Sequence, residues 1–399
     1  MNALKLNISE KQTQIIIWTL LFITPIIGMA VDLVAPSLPA MAIGLNVSAG
    51  LVKDVITLYL LGYAFGNFVT GFLTDAWGRQ RILRVGLIGF VLASVLPVIY
   101  PRIEILLFAR FLQGFTIGAV AVVARAIYSD LLPPEKLVKM GVLMGSMFGL
   151  GPVVGPLIGG YLQFYFGWQA CFVFFATIML IMGILIFIIV PETHFNRHAL
   201  NIKTIQRNIV EIIAHKKFMA LVILMGAVYS LIIAFNTVGP FLIQTRLHYS
   251  PIFFGHIALL MGLVFLAATF MCRYLLQRRS VEQLYLFFIN SIFAIAILAV
   301  VLGYVVGNSI ALIACASAFM FFACGFIFPM SMGKGLSLFR HIAGTATAIM
   351  YLINILMTSL TAFILSFINI NSAAALFMIY VVLLAICVIV YWSLIHPKE

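Results

Sequence analysis

IIIWTLLFITPIIGMAVDLVAPSLPAM, residues Ile15 to Met41, decides what kind of molecule this chain forms. No charge occurs from Ile15 to Val31, a run nearly long enough to cross the hydrocarbon of a bilayer as one helix. Asp32 then interrupts it, and Pro36 and Pro39 follow. A carboxylate at the centre of such a helix costs about 2.5–3.5 kcal/mol on insertion scales, so its presence needs a reason.

The whole chain has the same character. Of its 399 residues 64% are hydrophobic and 9% charged, and the mean hydropathy is +1.20. Soluble domains carry about 45–50% apolar and about 25% charged residues, so this chain cannot clothe a water-facing surface. The apolar runs are too long for bilayer-spanning strands and lack a period of two, which leaves helices. Twelve spans are expected, at 14–36, 53–73, 83–100, 104–127, 138–162, 169–190, 218–240, 252–275, 284–304, 309–330, 343–367 and 373–395. The first is too long for a signal core and lacks a cleavage site, so it is expected to stay in the mature protein. The fold class is an all-α membrane protein. A polar, basic linker at 191–217 divides an N-terminal six-helix bundle (1–190) from a C-terminal one (218–399). GFLTDAWGRQRIL after the second span has a basic counterpart, CRYLLQRRSVEQL, after the eighth, as in a duplicated half.

The net charge of +12 is an orientation signal. With the N-terminus inside, only Lys53, Arg102 and Arg246 fall to outer loops, and the other loop cations gather on the cytoplasmic side. Both termini are therefore expected in the cytoplasm, and nucleic acid is not expected as a partner. The five cysteines lie in separate apolar segments without metal-like spacing. SMGKGLS lacks the hydroxyl residue and the glycine of a phosphate loop. No nucleophile–base pair or metal cluster is visible, so no enzyme activity, cofactor or metal is expected.

Of the eleven acidic residues, only Asp32 falls inside an expected span away from its ends. Burial raises a carboxylate's pKa, which suits loading and unloading a proton; the plainer reading is an acid hydrogen-bonded where the prolines loosen the helix end. Asp32 precedes Pro39 by seven residues and Arg110 follows Arg102 by eight. Both therefore lie about 10–12 Å below the outer helix ends. Matched depth permits a pairing between Asp32 and Arg110; the alternative is an arginine bonded to backbone carbonyls. Gln113 shares the face of Arg110. Arg125, near the cytoplasmic end of the same helix, is expected to snorkel toward phosphate headgroups.

Two further stretches are unusual. In Gly71–Arg81, Gly71 and Gly78 allow close backbone approach, and Asp75 can accept from a helix N-terminus. In GPVVGPLIGG, Pro152 and Pro156 remove backbone donors, while Gly151 and Gly155 begin a small face for a neighbouring helix. A bend with close packing suits a helix that rocks; a static kink is the other reading.

These stretches carry a resemblance. GFLTDAWGRQRIL (Gly71–Leu83) resembles the loop signature of the major facilitator superfamily, and LLFARFLQGFTIGAV (Leu106–Val120) resembles its fourth-helix signature. GPVVGPLIGG (Gly151–Gly160) is similar to the fifth-helix signature of its antiporters. DLVAPSLPAM, ARAIYSDLL, FNTVGPFLIQ and AGTATAI resemble the bicyclomycin- and chloramphenicol-resistance subfamily of drug:proton antiporters. One departure is Ala76, where the family usually has an arginine after the loop aspartate.

The resemblance implies the major facilitator fold and a proton-coupled secondary transporter that exports small amphipathic molecules by alternating access. It implies a monomer in a bacterial inner membrane, with the small-molecule substrate, protons and the lipid bilayer as partners. It also implies a cavity lined by spans 1, 4, 5, 7, 8 and 11. Asp32 and Arg110 are the expected proton-coupling pair. Asp32, Tyr63, Arg110, Gln113, Met144, Phe148 and Asn236 are the expected substrate contacts. The conformational switch is expected at Gly71, Asp75, Gly78, Arg79 and Arg81, and at Gly151, Pro152, Gly155 and Pro156. Two alternatives stand beside export: an uptake symporter, and a receptor or assembly component that keeps the fold without transport.

Overall fold

Serine caps and prolines open many of the helices, as the sequence dictates. Ser9 and Gln12 form a reciprocal capping box at the first helix, and Ser280 with Gln283 another further on. The computed structural model describes residues 9–193, 202–339 and 342–395, and the regular structure there is helical. In order the helices are α1 (Glu10–Met29), α2 (Leu38–Gly44), α3 (Ala49–Trp77), α4 (Arg79–Ile99), α5 (Ile103–Leu131), α6 (Pro134–Phe166) and α7 (Gln169–Ile189). They continue with α8 (Ile202–Ala214), α9 (Lys216–Pro240), α10 (Pro251–Leu275), α11 (Val281–Val306), α12 (Ile310–Leu338), α13 (Ala343–Phe367) and α14 (Ala373–Val390). Twelve are long and apolar enough to cross a membrane. The short ones, α2 and α8, are not.

Two compact units result: Met1–Val47 with Val55–Asn201, and Ser48–Asp54 with Ile202–Glu399. The first turns of α3 thus belong with the second unit. Lys53, expected in an outer loop, is instead buried within α3. Its Nζ donates to the carbonyls of Leu365 and Ile368, each at 2.9 Å, at the C-terminal end of α13. Those carbonyls lack helical donors, which is why a buried ammonium is tolerated there.

The linker is more structured than a solvated segment. Residues 194–201 lie outside the described residues, but α8 presents Ile212 to a core formed by Phe218, Val222, Met225, Phe339 and Met350. The apolar spacing Ile202, Ile205, Ile209, Ile212 is the signal of an amphipathic helix.

The first span is not one helix over 14–36. The regular helix ends before residues 30–34, where Leu33 alone keeps a helical bond, its N–H donating to the Met29 carbonyl at 2.9 Å, and the chain resumes as a tight turn at Ala35–Ser37 and then α2. Pro36 and Pro39 cannot donate to the carbonyls of Asp32 and Ala35. The Asp32 carbonyl instead accepts from the Ala35 N–H at 3.3 Å. The loosening therefore surrounds Asp32 and does not lie beyond it. By contrast α6 runs unbroken through Pro152 and Pro156.

Candidate functional site

Arg110 is fully buried on α5, and its guanidinium is engaged on every side. Nε donates to the Val55 carbonyl at 3.1 Å, Nη1 to Gln113 Oε1 at 3.0 Å, and Nη2 to the Ala30 carbonyl at 3.1 Å. Its plane lies 4.3 Å from the centre of the Tyr59 ring. Gln113 passes the chain on, its Nε2 donating to Ser94 Oγ at 2.7 Å, and Ser94 Oγ donating to the Phe90 carbonyl at 2.7 Å.

The bond to Ala30 gives the interrupted first span a cause. In a regular helix the Ala30 carbonyl would accept from the Val34 N–H. Here it accepts from Arg110, and a side chain inserted into the helical ladder opens the turn. Asp32 sits in that opened turn, buried with 3% of its surface accessible. Tyr59 Oη is buried without a hydrogen-bond partner among the described residues. Arg110 thus meets the turn that carries Asp32 through the turn's backbone, as the backbone-carbonyl reading anticipated.

The other expected contacts differ in burial and in neighbours. Tyr63 stacks on Tyr59, with ring centroids 6.4 Å apart. Met144 and Phe148 are half-buried on α6. Asn236 is buried on α9, in the second unit. Arg125, expected to snorkel to headgroups, instead turns to α3 and donates to Asn67 Oδ1 at 2.8 Å.

A glycine seam carries the same turn. Pro152 has no N–H for the Phe148 carbonyl, and Gly28 packs directly on that freed oxygen, where a Cβ would collide. A Cβ on Gly151 would strike the backbone of Pro25 and Met29, and one on Gly159 would fall on the Leu33 carbonyl. Gly155 contacts Met29 and Leu33. The small face of α6 therefore holds the residues on either side of Asp32.

The expected switch loop is shorter than its motif. α3 continues to Trp77 and α4 begins at Arg79, so Gly78 alone makes the turn, with φ at +95°. Gly71 has open space around it, and the side chain of Asp75 lies outside the described residues. Glu192 at the end of α7 caps α4: its Oε1 accepts from the Arg79 N–H at 2.9 Å and its Oε2 from the Gln80 N–H at 3.2 Å. The buried Arg79 side chain pairs with Asp130 at the end of α5, at 3.1 Å, and donates to Thr74 at 3.3 Å. Thr193 also donates to Asp130, at 2.8 Å. Arg81 lies over the Trp77 ring. Asp130, Glu192, Tyr59 and Ser94 were not anticipated, because each is far in sequence from its partner and only Tyr59 and Ser94 lie within spans.

The described residues contain no cluster of metal-ligating side chains. The sequence profile of the Major Facilitator Superfamily matches residues 20–362. A "Bicyclomycin resistance protein homolog" of Haemophilus influenzae is 31% identical over 58% of this chain and 58% of its own. A "Multidrug resistance protein MdtL" of Shewanella oneidensis is 26% identical over 88% of each. The crystal structure of a D-xylose-proton symporter superposes with a TM-score of 0.75 over 98% of this chain and 99% of its own. At 14% identity that likeness speaks for the fold alone.

Proposed function

The chain belongs to the major facilitator superfamily and is a multi-pass membrane transporter of small molecules, not an enzyme; from that premise we propose that it exports small amphipathic compounds in exchange for protons. The observation that carries this reading is the buried Asp32 on an opened turn held by Arg110. An acid at an interruption of a membrane span is where transporters bind coupling ions. The names of the two relatives, resistance proteins both, favour export of drug-like compounds over uptake.

The mechanism rests on how the turn is held. With Asp32 ionised, the negative charge, the Arg110 guanidinium and the Tyr59 hydroxyl form one polar centre in a dry site. Protonation removes the charge and weakens the hold on residues 30–34. Met29 and Leu33 flank Asp32 and rest on the glycines of α6, so their displacement moves that seam. Substrate leaves as Asp32 takes a proton; substrate arriving from the other side favours the proton's release. Each proton moved inward contributes about 2.3 kcal/mol per 100 mV of membrane potential.

In this reading the chain is a monomer in a bacterial inner membrane, with the Gly78 turn and both termini in the cytoplasm. Arg79 with Asp130, and Glu192 on the start of α4, form a latch that closes in one state and opens in the other. Tyr63, Gln113, Met144, Phe148 and Asn236 serve as substrate contacts.

Ethidium and chloramphenicol, tested in right-side-out and inverted vesicles, check the direction. Export predicts proton-driven accumulation in inverted vesicles, and accumulation only in right-side-out vesicles would replace it with uptake. A ligand screen by thermal stabilisation of the purified protein then identifies the substrate class, since binding to the native state raises apparent stability.

A further inference from the structure

Outside the centre described above, the first unit holds a recess of 460 Å³ lined by Trp77, Gln80, Arg81, Arg84, Phe187 and Glu192, with Val85 and Ile88 at its edge. It lies between the start of α4 and the end of α7. The charges in it are unequally used. Both Glu192 oxygens are occupied in capping α4. Arg84 Cζ lies over the Phe187 ring, 4.9 Å from its centre, and its Nε is buried without a hydrogen-bond partner among the described residues. Arg81 lies 5.9 Å from the Trp77 ring. Arg81 and Arg84 are one turn apart on α4, so both can present donors to a single anion.

The surroundings of the recess say what kind of anion. Val85, Ile88 and Leu92 on α4 and Ile184 and Ile188 on α7 are all exposed, and they continue the recess as an apolar stripe. Ile188 keeps 77% of its surface accessible. On a helix that crosses a membrane such a stripe faces acyl chains. Trp77, half exposed at the end of α3, is the amphipathic ring expected at headgroup level. Two arginines, two aromatic faces and a lipid-facing stripe therefore meet at one depth.

We propose that this recess binds the phosphodiester headgroup of an anionic phospholipid, with its acyl chains along the stripe between α4 and α7. Arg84 supplies the central contact through its guanidinium, held over the Phe187 ring, and Arg81 supplies the second. The bound phosphate balances two cations that the Glu192 carboxylate, committed to α4, does not neutralise. Because Glu192 and Arg79 lie beside the recess, a bound lipid also braces the Gly78 turn.

The test is native mass spectrometry of the full-length protein in detergent micelles, with phosphatidylglycerol and phosphatidylcholine of equal chain length added in turn. Phosphatidylglycerol is expected to remain bound under conditions that strip phosphatidylcholine. Retention is expected to fall about fivefold in Arg84→Gln and further in the R81Q/R84Q double variant. Glycerol phosphate, which carries the anion without the chains, is expected not to compete. Equal retention of the two lipids by the wild type would overturn the proposal and needs no variant to fold. Unchanged phosphatidylglycerol retention in the double variant would overturn it too, and displacement by glycerol phosphate would assign the recess to a soluble anion instead.

Discussion

Two glycine seams hold the N-terminal unit together, and they differ in what surrounds them. Along the first, Gly62 and Gly66 on α3 meet the backbone of α5 at Phe111 and Phe115, and Gly114 and Gly118 on α5 meet α3 at Tyr59 and Tyr63. Neither α3 nor α5 contains a proline. Along the second, Gly28 on α1 and Gly151, Gly155 and Gly159 on α6 bring α6 against a chain loosened at residues 30–34. That seam contains Pro25, Pro152 and Pro156. Small residues let helices approach equally well in both. Only the second has carbonyls released from their own ladders, and only it carries a buried acid. In the proposed mechanism the first seam is a fixed wall and the second a joint.

Arg110 joins the two, since it bonds Val55 on α3 and Ala30 beside Asp32. Arg110→Met should therefore have the largest effect on stability. It leaves the Ala30 carbonyl and Gln113 short of a donor in a dry site, a loss of about 3 kcal/mol or more. Thermal unfolding in detergent measures it, and an unchanged midpoint would show that the clamp does not hold the turn. Gly114→Ala comes next. Its Cβ would fall on the Tyr59 carbonyl with unbroken helix on both sides, costing about 1–3 kcal/mol. Molecules that still fold should transport normally.

Gly159→Ala should reverse that balance. Its Cβ would fall on the Leu33 carbonyl, which sits in a turn able to shift, so stability drops by only about 1 kcal/mol. Turnover should fall about tenfold, equivalent to about 1.4 kcal/mol on the transition between states. Equal transport in the two alanine variants would erase the distinction between wall and joint. The smallest effect is expected from Pro152→Ala, which returns an N–H to the Phe148 carbonyl. It should raise the unfolding midpoint by the equivalent of up to about 1 kcal/mol while slowing transport.

Much of this was legible in the sequence, for physical reasons. Spans of about 20 apolar residues are imposed by the bilayer, so twelve helices could be counted from composition alone. A lone acid and a lone arginine at depth are costly, so Asp32 and Arg110 stood out. The interruption at residues 30–34 was not legible, because hydropathy does not distinguish a helix from an apolar turn. Its cause, Arg110 reaching the Ala30 carbonyl, is a contact to backbone, which no residue pattern encodes. Glu192 and Asp130 escaped for a related reason: helix packing brings them to Arg79 across 113 and 51 positions. Lys53 was misplaced because a lysine near a span end reads as loop, whereas here the open carbonyls of α13 draw it inside.

In the proposed mechanism Asp32 carries the coupling proton on the second seam. Proteoliposomes containing the wild type or Asp32→Asn, loaded with a probe that the wild type exports and given an imposed proton gradient, test it directly. The wild type should exchange probe for protons, recorded by a pH-sensitive dye. The variant, folded to the same midpoint, should show no gradient-driven flux. Gradient-driven exchange at the wild-type rate in Asp32→Asn would contradict the account.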